Sequence, residues 1–164
     1  YDLLVTSGGI SKSSTDNVSK IMITYGDLLF WRIKIKPGRP FAFGKIKDSF
    51  FIGFPGNPVA AVVTFLMLVT TFIKKLSGNV NYRNEPDYLK CDFSMKKKKN
   101  RVEWLRGNFI SKNKKKIVRK FHTTGSGIIS SLSKSNGIIQ IDEEVEKINR
   151  GNILKFYRYQ DLLN

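Results

Sequence analysis

Thiol and imidazole chemistry are almost absent from this sequence. The single cysteine, Cys91, excludes an intrachain disulfide and a cysteine metal cluster, which points to a reducing, cytoplasmic compartment. The single histidine, His122, has no Cys, Asp or Glu beside it in a ligating arrangement and reads as a structural or surface residue. A nucleophile paired with a histidine, as covalent catalysis would need, is not found. Carboxylates are scarce, 13 Asp and Glu against 29 Lys and Arg, and Glu143, Glu144 and Glu146 have no facing acid, so they read as solvated. The longest apolar run, Val59 to Ile73, is interrupted by Thr64, Thr70 and Thr71. It falls short of the roughly 18 to 20 residues a bilayer span requires. We read it as a buried helix, with no membrane partner. No internal repeat stands out.

What is present is enough for a core: 41% of the 164 residues are apolar, which excludes disorder as the default. The net charge of +16 would suit a partner rich in phosphate. Most of the surplus lysine, however, falls in apparent surface turns such as Lys96 to Lys99 and Lys114 to Lys116, and Lys, Asn and Ile are all abundant, as a skewed codon composition would produce. Solvated loops are therefore the expectation for these runs. The sequence opens on Tyr1 in what reads as a buried strand rather than a signal peptide, so the chain is expected to be a fragment of a longer protein.

Periodicity predicts two regions. Asp2 to Thr6 is a short apolar run ending in Ser7-Gly8-Gly9, the pattern of a strand buried on both faces that finishes in a glycine loop. From Asp16 a helix is expected, with Val18, Ile21, Met22 and Tyr25 on one face and Gly26 ending it in a left-handed conformation. Leu28 to Lys36 alternates as one strand, with Arg32, Lys34 and Lys36 on a basic face. Phe41 to Ile46 and Phe50 to Phe54 form a hairpin around Lys47-Asp48. Asn57 suits the N-cap and Pro58 the first position of the long apolar helix, which Gly78 should end. Residues 1–78 thus read as an α/β layer and 79–87 as a linker. Residues 88–164, with about five short strands, read as a small barrel or sandwich.

Three segments carry chemistry. Gly8 and Gly9, at the end of a strand and the mouth of a helix, offer free backbone amides to an anion; as a strand-to-helix turn they would need no ligand. Asp16 could hold magnesium, which takes one or two carboxylates and shares its shell with phosphate and water, or could simply cap the helix. Lys36-Pro37-Gly38-Arg39-Pro40 sets two cations in a proline-stiffened turn, suited to a phosphate or an oxyanion; the alternative is an exposed basic turn.

In order and spacing, Ser7-Gly8-Gly9-Ile10-Ser11 with Asp16, then Phe30-Trp31 and Ile35-Lys36-Pro37-Gly38-Arg39-Pro40-Phe41-Ala42-Phe43-Gly44, then Gly53-Phe54-Pro55-Gly56-Asn57-Pro58-Val59, resemble three signatures of the molybdopterin molybdenumtransferases, including the catalytic region of gephyrin. The resemblance continues more weakly through Gly125-Ser126 and Ser131 to Asn136. It implies a molybdopterin-binding three-layer α/β domain, represented here by its C-terminal half, followed by a small β-barrel domain. It also implies insertion of molybdate into adenylylated molybdopterin with release of AMP, dependent on Mg2+, in a protein that is a homodimer when whole. Carried over by residue, Asp16 would be the metal-site acid, and Lys36 and Arg39 the catalytic cations on substrate or molybdate. Ser7, Gly8, Gly9 and Ser11 would form the phosphate-side loop, Arg32 a further basic contact, and Pro55, Gly56, Asn57 and Pro58 the rigid loop beside the pocket. The sequence departs from the family pattern at Ser13, where glycine is usual, and at Ser19, where lysine is.

Two rival readings stand beside this one. A non-catalytic basic module for nucleic acid or protein draws slight support from Phe156-Tyr157-Arg158-Tyr159, but no RNA-binding signature accompanies it, and nucleic acid is not the expected partner. A molybdopterin adenylyltransferase would share the α/β layer but not the region after Gly78.

Overall fold

A computed structural model describes residues 1–10, 17–112, 115–122 and 127–164. The first sheet has four strands in the order β1-β5-β4-β2: β1 (Leu3–Ser7), β2 (Asp27–Trp31), β4 (Ala42–Ile46) and β5 (Ser49–Phe54). β1 runs parallel to β5, pairing Leu3 with Phe50 and Ser7 with Phe54. The β4–β5 hairpin turns at Lys47-Asp48, where Lys47 takes a φ of 52°. The predicted burial of β1 on both faces is not met. Among the described residues it has one neighbouring strand, and Leu4 and Val5 are exposed.

Helix α1 (Asn17–Tyr25) lays Met22 and Val18 on Ile10, Ala42 and Phe51. Ile21 and Tyr25, expected on the same buried face, are 48% and 71% exposed, so the apolar stripe is narrower than the sequence suggested. Gly26 also differs from expectation, because it is not left-handed. Its backbone passes so close to Lys45 that a Cβ would lie 2.6 Å from the Lys45 carbonyl oxygen. The glycine is required by close approach rather than by φ.

The largest departure is the predicted strand from Leu28 to Lys36. It breaks at Arg32, whose φ is 73°, an uncommon conformation for a residue with a side chain. Before the break lies β2 in the first sheet; after it, β3 (Ile35–Lys36) pairs in parallel with Val102 and Glu103 of β8 (Val102–Lys112) in the second sheet. The single basic face therefore does not form. Instead the chain crosses from one half of the molecule to the other and returns through Arg39, whose carbonyl accepts from the Ile33 amide.

Helix α2 (Pro58–Leu76) begins as predicted: Asn57 caps it, its Oδ1 accepting from the Ala60 amide at 3.0 Å, and Pro58 follows. Residues Phe65–Val69 form a π-helical turn. Two of the three threonines that interrupt the apolar run return their hydroxyl hydrogen bonds to the helix itself, Thr64 to Ala60 and Thr70 to Leu66, and both are buried. The helix has 19 residues with a mean hydropathy of 1.9, so it exceeds the run on which the sequence reading set aside a membrane span: by length and composition alone it could cross a bilayer. In this fold it lies between two sheets. Val69, Phe65 and Leu68 pack on Phe41, Ile52 and Phe54 of the first sheet, and Val59, Val63, Leu66 and Met67 pack on Trp104, Ile138 and Leu162 of the second half. Leu76 ends the helix, followed by Gly78 at φ 97°.

The second half is a closed five-stranded barrel. In circuit, β8 pairs with β10 (Gly137–Ile141), β10 with β12 (Ile153–Arg158), β12 with β6 (Asp87–Cys91), β6 with β9 (Lys115–Lys120), and β9 returns to β8. Leu89, Cys91, Val118, Ile139 and Phe156 fill its interior, so Cys91 packs as the small hydrophobe it was read to be. A two-stranded ladder of β7 (Met95–Lys96) and β11 (Lys147–Ile148), and short helices α3 (Ser130–Ser133) and α4 (Tyr159–Leu163), flank the barrel. Lys97, read as part of a solvated turn, is buried: its ammonium donates to the carbonyls of Lys98, Arg101 and Glu143 at 3.1, 2.8 and 3.2 Å.

Because the Asn57 carboxamide satisfies one of the four orphan amides at the start of α2, Asn57→Ala is expected to lower stability by about 1 kcal/mol. The midpoint of urea unfolding measures this, and an unchanged midpoint would show that the cap carries no weight.

Candidate functional site

The crossing at Arg32 delivers Lys36-Pro37-Gly38-Arg39-Pro40 to the seam between the halves. The Lys36–Pro37 peptide is cis, and Gly38 has a φ of 103°. A Cβ at Gly38 would collide with Thr64 Cγ2 and sit 3.1 Å from Ile35 Cδ1, so only glycine lets this loop lie against α2. Facing the loop are Pro55, Gly56 and Asn57 with Ala60, at the N-terminal end of α2, where the helix dipole is positive. The third wall is β8, which contributes Glu103, Trp104 and Arg106, with Arg101 just before it. These walls enclose a cleft of about 350 Å³.

Charge in the cleft is lopsided. Lys36, Arg39, Arg101 and Arg106 line it together with one carboxylate, Glu103. Glu103 is only 1% exposed and is engaged on both oxygens: Oε1 accepts from Arg101 at 2.5 and 2.9 Å, and Oε2 lies 3.5 Å from Lys36 Nζ. A buried carboxylate is tolerated only when paired in this way. Trp104 is fixed by donating to Gln140 Oε1 at 3.0 Å, and Arg106 donates to Ser131 Oγ at 3.1 Å. Burial lowers the Arg106 pKa, partly offset by Tyr159. Burial likewise pushes the Tyr159 phenol up to about 12, with Arg106 acting against it.

The expected site residues separate into groups. Lys36, Arg39, Pro55, Gly56 and Asn57 meet in the cleft. Gly8 and Gly9, both at positive φ, lie next door: Gly8 donates to the Phe54 carbonyl at 3.1 Å, and a Cβ on Gly56 would be 3.7 Å from Gly8 Cα. Ser7 closes β1 opposite Phe54. Pro58 is exposed at the start of α2 and Arg32 at the strand break, and neither lines the cleft. Ser11 and Asp16 lie outside the described residues. Arg101, Glu103, Trp104 and Arg106 were missed. Their signal was present, because Glu103 and Arg106 are charges inside a strand that otherwise reads as apolar.

A magnesium ion finds no fit among the described residues. No three of their His, Cys, Asp or Glu side chains are grouped for a metal, and the one cleft carboxylate is already committed to two cations.

Comparison with known proteins assigns each half separately. Residues 1–75 match the family described as "Probable molybdopterin binding domain", and residues 88–159 match the "MoeA C-terminal region (domain IV)". The chain is therefore an α/β unit of the family described as a probable molybdopterin binding domain, joined to a barrel of the MoeA C-terminal type. Over 164 residues the chain is 35% identical to the molybdopterin molybdenumtransferase of Haemophilus influenzae, an alignment covering 99% of this chain and 41% of that protein. It is also 35% identical over 124 residues to the molybdenum cofactor synthesis protein cinnamon of Drosophila melanogaster, covering 68% of this chain and 19% of that protein. The crystal structure of a molybdopterin biosynthesis protein MoeA from Pyrococcus horikoshii superposes with a TM-score of 0.76 at 22% identity, over 96% of this chain and 37% of that one. A molybdenum cofactor biosynthesis protein from Pyrococcus furiosus does so with a TM-score of 0.71 at 26% identity, over 96% and 49%. The chain belongs to the molybdopterin molybdenumtransferase family and spans about two fifths of the length of its Haemophilus relative.

Two measurements probe this geometry. Gly38→Ala should be destabilising by roughly 1 to 3 kcal/mol, since it combines a left-handed backbone with a collision against α2; wild-type stability in urea would contradict the seating described. Tyr159 tests the surroundings of Arg106. Its folded pKa lies above the phenol's ordinary value of about 10, so the neutral phenol favours the folded state, and that contribution is lost as pH rises from about 10 to about 12. Tyr159→Phe should therefore flatten this part of the stability–pH curve relative to wild type, and superimposable curves would refute the shift.

Proposed function

We propose that this chain supplies the anion-binding side of a molybdenum-insertion site, at which molybdate enters adenylylated molybdopterin and AMP is released. The reading is carried by one observation: a cleft between the two halves in which four cations meet a single, already neutralised carboxylate. A role in molybdenum cofactor biosynthesis is supported by the family to which the chain belongs.

Molybdate is a tetrahedral dianion, and the adenylate carries a phosphate, so both reactants need charge-assisted donors held in place. Arg39 offers a planar fork with no carboxylate partner among the described residues, and Lys36 a point charge loosely held by Glu103 at 3.5 Å. Pro55 and the capped start of α2 form a rigid wall that fixes where an anion can sit, with helix-terminal dipoles behind it. The adjacent Gly8-Gly9 turn, free of side chains, gives the phosphate side a close backbone approach. In this arrangement the chain's own groups bind and orient two anions and offset their mutual repulsion.

Arg39→Ala and Lys36→Ala should each weaken molybdate binding by roughly 1 to 3 kcal/mol, the range for losing a hydrogen bond to a charged group. Arg39→Ala is the cleaner variant because it leaves the Glu103 cluster intact. Calorimetric titration of molybdate into the full chain reads the effect. Unchanged affinity in both variants, or strong salt-sensitive binding of arbitrary oligonucleotide with none of molybdopterin, would overturn the assignment in favour of a basic binding module.

A further inference from the structure

Beside the cleft, and sharing Lys36, Arg101 and Glu103 with it, lies a second hollow of about 520 Å³, completed by Met95, Lys96, Lys97, Lys98 and Lys120. Glu103 is its only carboxylate, and that charge is taken up by Lys36 and Arg101. Lys97 is spent structurally: its ammonium, capped by three carbonyls, holds the segment from Lys97 to Arg101 in shape. Lys96, Lys98 and Lys120 remain. They come from two segments, Lys96 and Lys98 from one and Lys120 from the end of β9; the first two are exposed and Lys120 is half-buried, and none has a carboxylate partner among the described residues. Lys96 also stands directly opposite Lys147 in the β7–β11 ladder, a like-charge pair that costs stability unless a counter-ion is near. Lys120 is steadied over the Phe93 ring at 5.8 Å. The neighbouring Lys99 is excluded, since it pairs with Glu146 at 3.5 Å.

We propose that this hollow is a second anion subsite, built by Lys96, Lys98 and Lys120 to take a phosphate dianion while the cleft is separately occupied. A compact dianion suits the geometry. Three point-charge donors surround one hollow next to a pinned loop, and lysine binds phosphate as a point charge without the planar match that a carboxylate finds in arginine. The subsite stands independently of the molybdate reading, because its three lysines do not line the cleft.

The test is calorimetric titration of the full chain with inorganic phosphate and, separately, with AMP, followed by the same titrations on a Lys96→Gln/Lys98→Gln/Lys120→Gln variant. Lys96 and Lys98 are exposed and Lys120 is half-buried over Phe93, where glutamine keeps part of the apolar stem, so the fold should persist, and an unchanged urea midpoint checks this. The expected result is a loss of phosphate affinity of about tenfold or more in the triple variant, with molybdate binding unaltered and with Arg39→Ala leaving the phosphate site intact. Loss of both AMP and inorganic phosphate assigns the site to phosphomonoesters generally, and loss of inorganic phosphate alone assigns it to the free ion. Either result upholds the subsite. Unchanged phosphate affinity overturns it. So does an equal loss in Arg39→Ala, which would mean that only one site exists, and so does oligonucleotide binding by wild type without any for phosphate or AMP.

Discussion

A helix with large apolar side chains on opposite faces must be covered on both, and α2 imposes that constraint on the whole molecule. Each large side chain on it contributes about 1.5 to 3 kcal/mol when buried. One sheet covers a stripe, so the helix requires a second surface. The first sheet takes Phe65, Leu68 and Val69, with Phe72 meeting Phe43 and Phe50 edge-on at 5.3 and 5.1 Å; the barrel side takes Val59, Val63, Leu66 and Met67. The two halves are thereby held at a fixed separation by one shared element. The cleft lies where that element begins, at Pro55 to Ala60.

Much of this was legible in the sequence because it is written locally. The Asn57-Pro58 helix start, the Lys47-Asp48 hairpin and the end at Gly78 depend on residues next to one another, and each was found where expected. Features that depend on distant partners were not legible. Alternation from Leu28 to Lys36 is real, but a period-2 pattern cannot reveal that residues on either side of Arg32 answer to different sheets. Gly26 looked like a helix terminator because that is the commoner use of glycine there, whereas Lys45, nineteen positions away, sets the requirement. Ile21 and Tyr25 fit the helical period yet find no surface to cover them among the described residues.

The same distinction explains the candidate site. Lys36 and Arg39 were found because they sit in a dense local pattern, while Arg101, Glu103, Trp104 and Arg106 enter only through the β3–β8 pairing. Lysine density misled in a related way. Runs of lysine are usually solvated, and Lys96 and Lys98 are exposed, but Lys97 between them is sequestered because the carbonyls of Lys98, Arg101 and Glu143 replace its water shell. Composition could not distinguish these neighbours, since their difference lies entirely in what the barrel brings to them.

The strand break at Arg32 then acquires a structural logic. Had the segment continued straight through Lys36, the Lys-Pro-Gly-Arg-Pro turn would end an ordinary strand of the first sheet. Its cations would project from that half alone. Turning at Arg32 instead lets Ile35 and Lys36 join β8, which sets Lys36 beside Glu103 and leaves Arg39 on the return path, where its carbonyl secures the Ile33 amide. The cost is one left-handed residue, of order 1 to 3 kcal/mol for a side chain held in that region. In exchange, backbone pairing and an ion pair bind the basic loop to the barrel, while Gly38 presses it against α2. The loop is thus held from two sides by elements that are themselves fixed by the shared helix, which is the preorganisation that the proposed binding of two repelling anions would demand.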